Sequence, residues 1–146
     1  MQTAFPTAQD AENAFYEALE RADLEAMMAV WAEDEEVICV HPSGPRLVGH
    51  AQVRESWRQI FSGGGGVRIH VTGRVALQAM LMVVHNVQEN APAPAGKREG
   101  AAVTPTVMAT NVYLRTAAGW RMIVHHASHV SGPPDGRTDA TPKILH

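Results

Sequence analysis

The chain has 146 residues, 45% hydrophobic and 18% charged, with a formal net charge of −3. That is the length and composition of one ordinary domain able to bury a core. The slight acidity and the absence of a basic cluster exclude a nucleic-acid or anionic-membrane surface, no run approaches the roughly 18 apolar residues of a membrane span, and a single cysteine, Cys39, excludes an internal disulfide.

The stretch MQTAFPTAQDAENAF carries no basic region leading into an apolar one, and with one cysteine the expected location is the cytoplasm. Thr7 followed by Asp10 resembles a capping box. Ala11, Ala14, Phe15, Ala18 and Leu19 repeat at helical spacing and predict an amphipathic helix over Ala8 to Arg21. Asp23 caps a second helix whose Leu24, Met27, Met28 and Trp31 share one face. The acidic run Glu33 to Glu36 reads as solvated surface. Val37 to Val40 is a short buried strand in which Cys39 is a small core residue of raised thiol pKa.

The strand runs into His41-Pro42 and a Pro-Ser-Gly-Pro loop, beyond which Arg46 is either a solvated loop residue or an anchor for an anion. Val53, Trp57, Ile60 and Phe61 mark a third helix, His50 to Ser62, stopped by the hinge Gly63 to Gly66. From Val67 the pattern is that of strands, with a turn near Gln78-Ala79. ENAPAPAGKREG, Glu89 to Gly100, reads as a mobile loop. VMATNVYLR and WRMIVHHAS form a hairpin around Thr116 to Gly119, with Gly119 supplying a positive φ. Residues 131–146 read as a flexible tail of one domain spanning 1–146, whose core is about 8–130. Helices first and strands afterwards make an α+β fold of three helices packed in a strongly curved antiparallel sheet.

The segments AFYEALERADLEAMMAVWAEDEEVICVHPSGPRLVG, TNVYLRTAAGW and HHAS resemble the SnoaL-like proteins of the nuclear transport factor 2-like superfamily, which also includes ketosteroid isomerase and the association domain of calcium/calmodulin-dependent protein kinase II. The resemblance implies a cone whose sheet wraps the helices around an apolar pocket, commonly in a homodimer. It is specific for fold and weak for function, because one fold serves many chemistries. It sets His41 on the catalytic aspartate of isomerase-like relatives, also followed by proline. It sets Phe15 on the helix-one tyrosine, with Tyr16 about 100° further round the helix, and Asn111 on the buried acid.

Pro42 biases His41 to extended geometry, and an imidazole can act as base near neutrality; the alternative is a histidine that caps its loop. Asn111 can donate to an oxyanion but cannot supply a protonated acid. If Thr116 to Gly119 form a four-residue loop, Arg115 pairs with Trp120, and Asn111, Tyr113, Met122, Val124, His126 and Ser128 share the pocket face. A bulge at Gly119 would exchange His126 for His125. The expected catalytic set is His41, Asn111 and His126, and the expected pocket residues are Phe15, Trp31, Trp57, Tyr113 and Val124. Eight histidines offer no metal-ligand spacing, so neither metal nor cofactor is expected.

Two functions stay open. One is a pocket for a small organic ligand, as in an isomerase- or hydrolase-type enzyme with His41 as base. The other is a non-catalytic dimerisation module with a residual pocket. The expected partners are a second copy and an unknown small molecule, with Met108, Val112, Leu114 and Ile123 forming the dimer face, and no nucleic acid or membrane.

Overall fold

The structure, a computed structural model, describes residues 4–64, 66–91, 107–131 and 143–144, and its helices begin where the sequence places their caps. The Thr7 hydroxyl accepts from the Asp10 N–H at 3.0 Å, and α1 runs Ala8–Arg21 with Ala11, Glu12, Phe15, Tyr16 and Ala18 buried. Asp23 accepts from the Ala26 N–H at 3.0 Å at the start of α2, Leu24–Val30. The third helix, α3, is His50–Ser62 and buries Val53 and Trp57.

The strands are β1 (Ile38–Val40), β2 (Arg46–Val48), β3 (His70–Gln78), β4 (Met82–Asn90), β5 (Val107–Thr116), β6 (Gly119–His129) and β7 (Lys143–Ile144). They form one sheet in the order β2-β1-β6-β5-β4-β3-β7. Pairing is antiparallel except for β1 with β6 and β3 with β7. The helices and the curved sheet bury Phe15, Met27, Trp31, Val53, Val87, Tyr113 and Met122 between them. This is the expected α+β cone.

Two stretches read as loops are strands. Arg46–Val48 follows the Pro-Ser-Gly-Pro turn and pairs antiparallel with β1, leaving Arg46 exposed on an edge strand. Glu89 and Asn90 lie in β4 and are buried, and Ala91 follows half-buried; residues 92–100 of the predicted mobile loop fall outside the described residues. So does the predicted tail, apart from residue 131 and the two-residue strand β7.

Two bulges decide what faces the cone. Between Thr72↔Gln88 and Val75↔Asn86, Gly73 and Arg74 oppose Val87 alone, with Gly73 at φ +61°. A glycine in this region is the usual device of such a bulge, and here it sets the aim of Arg74. Along the β5–β6 hairpin the turn is tight: Thr116 pairs with Gly119, whose φ is +94°, and Arg115 pairs with Trp120 as predicted. Further on Tyr113 pairs with Met122 but Val112 pairs with Val124, so Ile123 is an extra residue. One inserted residue exchanges the two faces of a strand. Asn111 therefore faces His125, and His126 and Val124 turn to the other side.

Candidate functional site

The bulge at Ile123 corrects the expected site. His126 is exposed, and Val124 is half-buried beside Val112 rather than in the cone interior. His125 stands in the place expected for His126: it is 3% exposed, with Nδ1 2.6 Å from Asn111 Oδ1. Asn111 Nδ2 donates to the Tyr16 hydroxyl at 3.0 Å, and that hydroxyl donates to Glu89 Oε2 at 2.6 Å. The amide fixes the direction of this chain. Its oxygen must accept from His125, so the His125 proton sits on Nδ1 and Nε2 carries a lone pair. Both ends of Asn111 are thus engaged within the protein; it positions His125 rather than offering a donor to an oxyanion.

Tyr16, one residue round from the position where the relatives carry their tyrosine, reaches that interior after all. Phe15 packs edge-on to its ring with centroids 4.9 Å apart. Burial, followed by the charge and hydrogen bond of Glu89, holds the Tyr16 phenol well above its ordinary range. Burial also raises the Glu89 carboxyl, with the Glu12 charge adding to it and the Tyr16 hydrogen bond opposing. Burial first, then the charges of His41 and His126, push His125 down to about 3. It is a neutral ring at physiological pH.

His41 reaches the same region from the end of β1. Its Nε2 lies 3.0 Å from Ser56 Oγ and 3.7 Å from Cys39 Sγ. Ser56 commits its hydroxyl proton to the Val53 carbonyl at 2.7 Å, so it accepts from His41, whose proton is on Nε2. The bare atom is then Nδ1, which has no partner among the described residues. Burial lowers the His41 pKa, keeping this lone pair available near neutrality. Cys39 beside it is inert, its thiol pushed up to about 12 by burial.

Trp57 joins the two histidines. Its ring meets His41 edge-on at 4.7 Å and lies 6.4 Å from His125, with Phe15 at 5.6 Å. The Trp57 Nε1–H is buried without a hydrogen-bond acceptor, and such orphaned donors are rare in protein interiors. The expected residues His41, Phe15, Trp57 and Asn111 are therefore gathered at one place, with His125 added. Tyr113 is buried further along β5, its hydroxyl 3.0 Å from Glu12. Trp31, expected beside Trp57, instead ends α2, bridges to Met122 and lines an outer cleft.

A second buried cluster adjoins the first. Glu12 Oε1 accepts from Arg74 at 3.0 Å, and Glu12 Oε2 accepts from His85 Nδ1 at 2.6 Å and from the Tyr113 hydroxyl. Burial alone would raise the Glu12 carboxyl. The His85 hydrogen bond, the charges of His85 and Arg74 and the Tyr113 hydroxyl outweigh it, and the pKa is lowered. The sequence did hold a signal for these residues. Glu12 lies on the α1 stripe with Ala8 and Phe15, and His85 and Glu89 alternate with Val83 and Val87.

Among the described residues the surface clefts include three. One of about 720 Å³ lies between α2, the start of α3 and the β5–β6 hairpin. Another of about 510 Å³ lies at the start of α1 against β3 and β4, and one of about 280 Å³ runs along α1 beside Glu12, Tyr16 and Arg74. None of the three is lined by His41, Trp57, Asn111, His125 or His126. Among the described residues no three His, Cys, Asp or Glu side chains converge as a metal site requires, and no helix is long and apolar enough to cross a membrane.

Residues 9–132 match the family model of the SnoaL-like domain. A structure from Thiobacillus denitrificans, provisionally assigned as a calcium/calmodulin-dependent protein kinase type II association domain, is 40% identical, with a TM-score of 0.78 over 88% of this chain and 99% of that one. A provisionally assigned dehydratase of the NTF2-like family from Streptomyces avermitilis is 31% identical, with a TM-score of 0.69 over 84% of this chain and 93% of that one. A provisionally assigned ketosteroid isomerase from Parabacteroides distasonis is 21% identical (TM-score 0.64, 84% and 87% covered), a likeness of fold alone. No curated protein matches the chain.

Proposed function

The chain belongs to the SnoaL-like domain family, and on that premise we propose that it takes a small, uncharged, mostly apolar organic molecule against Trp57 and moves a proton on it with His41 as general base. The observation that carries this reading is the set of three polar atoms left over around one indole. His41 Nδ1 and His125 Nε2 are bare acceptors, and Trp57 Nε1–H is a buried donor. A ligand hydroxyl or acidic C–H would meet the imidazoles, and a carbonyl oxygen would meet the indole N–H. With no cation among the described residues of this cluster, an anionic ligand would gain nothing to offset its desolvation. Proton transfer of this kind is the chemistry of dehydratases and isomerases, and the Streptomyces avermitilis relative carries the name of the first.

The Ser56 contact explains how His41 is aimed, since α3 holds Nε2 and turns Nδ1 away from it. Replacing His41 with Gln should leave the fold nearly unchanged, because the position is half-buried at the end of a short strand. It should also weaken any neutral ketone or lactone that raises the melting temperature of the unsubstituted protein. Ligand stabilisation follows mass action, so the rise grows with ligand concentration. A hit retained in full by H41Q, or a His41→Gln protein that loses about 1 kcal/mol or more of stability while its ligand affinity is unchanged, would assign His41 to loop structure instead.

A second reading rests on the relative assigned as an association domain. Met108, Val112, Leu114 and Ile123 are half-buried, and Val112, Leu114 and Ile123 lie on the face turned away from Tyr113 and His125. A sheet face of this composition suits a second copy of the chain. The expected mass in light scattering at micromolar concentration is that of a dimer; a monomer mass would remove the claim.

A further inference from the structure

Taking Trp57 as the ligand site, and resting on that reading, we propose that Glu89 is a positioning residue: acting through Tyr16 and Asn111, it decides which nitrogen of His125 the ligand meets. Four elements supply the four residues, α1 for Tyr16, β4 for Glu89, β5 for Asn111 and β6 for His125, and all are buried. Glu89 turns inward because it follows Val83, His85 and Val87 on one face of β4, at the strand period of two.

A hydroxyl, an amide and a neutral imidazole each carry both a donor and an acceptor, so a relay of the three can run in either direction. In the direction observed, Tyr16 donates to Glu89 Oε2 at 2.6 Å and accepts from Asn111 Nδ2 at 3.0 Å. The Asn111 oxygen then accepts from His125 Nδ1, and His125 Nε2 is bare. In the reverse direction Tyr16 would donate to the Asn111 oxygen and Asn111 Nδ2 to His125 Nδ1, leaving the His125 proton on Nε2. Only the Asn111 amide need turn over.

Glu89 is the member with a fixed sense. An ionised carboxylate accepts and never donates, so the contact with Tyr16 exists in the first direction alone. Reversal would take that donor from a buried carboxylate, and hydrogen bonds to a charged group are the stronger kind. Other partners of Glu89 do not alter the choice, which turns on the Tyr16 proton. The consequence falls at Trp57. With His125 Nε2 bare, the site offers an acceptor beside the Trp57 N–H; reversed, it would offer two donors and suit a ligand rich in acceptors. Glu89 thus selects ligand polarity through two intermediaries.

Side-chain nitrogen NMR of the ligand-free full chain tests this, at about pH 8, above the ordinary range of carboxylates and imidazoles. Glu89→Gln keeps the shape but presents an amide that can donate to Tyr16 as well as accept, so the sense is no longer imposed. The ratio of the Nε2–H to the Nδ1–H form of His125 should rise about tenfold or more. Tyr16→Phe, which cuts the relay, should shift the ratio the same way, and Glu89→Gln added to it should change nothing further. If Glu89→Gln fails to fold, Glu89→Met, of similar length and with no oxygen to accept, should raise the same ratio. An unchanged ratio in the Glu89 variant, or a further shift when Glu89→Gln is added to Tyr16→Phe, would overturn the proposal whatever happens to stability. Either result leaves the Trp57 reading standing, since no ligand is present; that reading fails on ligand titration instead, with the relay intact.

Discussion

Replacing Glu12 with Ala is expected to destabilise the protein by about 3–5 kcal/mol, the usual cost of removing one partner from a buried ionic cluster. The side chain is 1% exposed and is the shared acceptor for Arg74, His85 and the Tyr113 hydroxyl. Without it the His85 Nδ1–H and the Tyr113 O–H lose their acceptor inside the cone. Arg74, partly exposed, can recover some hydration, which places the loss toward the lower end. Domains of this size have roughly 5–15 kcal/mol in all, so the variant should unfold at a much lower urea concentration. Glu12→Gln keeps an acceptor oxygen and should fall between the two. A loss below about 1 kcal/mol for Glu12→Ala would mean that the cluster is not formed as described.

The second large effect is on acid stability. The His125 pKa is about 3 in the folded chain against an ordinary 6.5. Between those values the unfolded chain binds a proton that the native chain refuses, so stability falls as pH falls, with a slope near 1.4 kcal/mol per pH unit for one proton. His41, also lowered by burial, adds to the slope below its ordinary value of 6.5. Glu12 acts in the same direction below its ordinary value of 4.5, and Glu89, raised by burial, acts in the opposite direction. The comparison that isolates His125 is therefore between the His125→Gln and unsubstituted chains, which share the contributions of His41, Glu12 and Glu89. His125→Gln should flatten the urea-derived stability between about pH 7 and pH 5, by up to about 1.4 kcal/mol per unit relative to the unsubstituted chain. Coincident slopes would show that the native His125 takes up its proton freely.

How far the sequence carried the fold follows from where its signals lie. The helices α1 and α3 were legible to their ends because Thr7 and Gly63 are local signals that act on their own neighbours. The hairpin turn was legible for the same reason, through Gly119. The bulge at Ile123 was not. Nothing in WRMIVHHAS marks the residue that drops out of register, since the choice is made by packing of Met122 and His125 on one side and Ile123 and Val124 on the other. That single insertion is why the interior histidine is His125 and not His126. β2 was missed because three residues between Pro45 and Gly49 are too short for a periodic pattern, and only pairing with β1 makes them a strand.

The polar interior was partly legible. Glu12 sat on an apolar stripe in plain view, but a lone carboxylate there acquires meaning only with Arg74 and His85, which lie 62 and 73 residues away along the chain. Tyr16 was set aside on helical geometry measured against Phe15. The structure shows that a phenol one position round still reaches Asn111 across the curved sheet, because β5 passes over α1 at that point. The resemblance pointed to His41 and Asn111, and in the structure both ends of the Asn111 amide are engaged within the protein, on His125 and on Tyr16.

The most direct test of the Trp57 site is side-chain nitrogen NMR of the histidines and tryptophans, recorded while the best neutral ligand from the thermal-shift series is added. In the free protein the His125 proton should be on Nδ1 and the His41 proton on Nε2. Saturation should move His41 Nδ1, His125 Nε2 and Trp57 Nε1–H together, and leave His85 where it was. A ligand that saturates while shifting His85 alone, or a His125 ring found protonated on Nε2, would contradict the site.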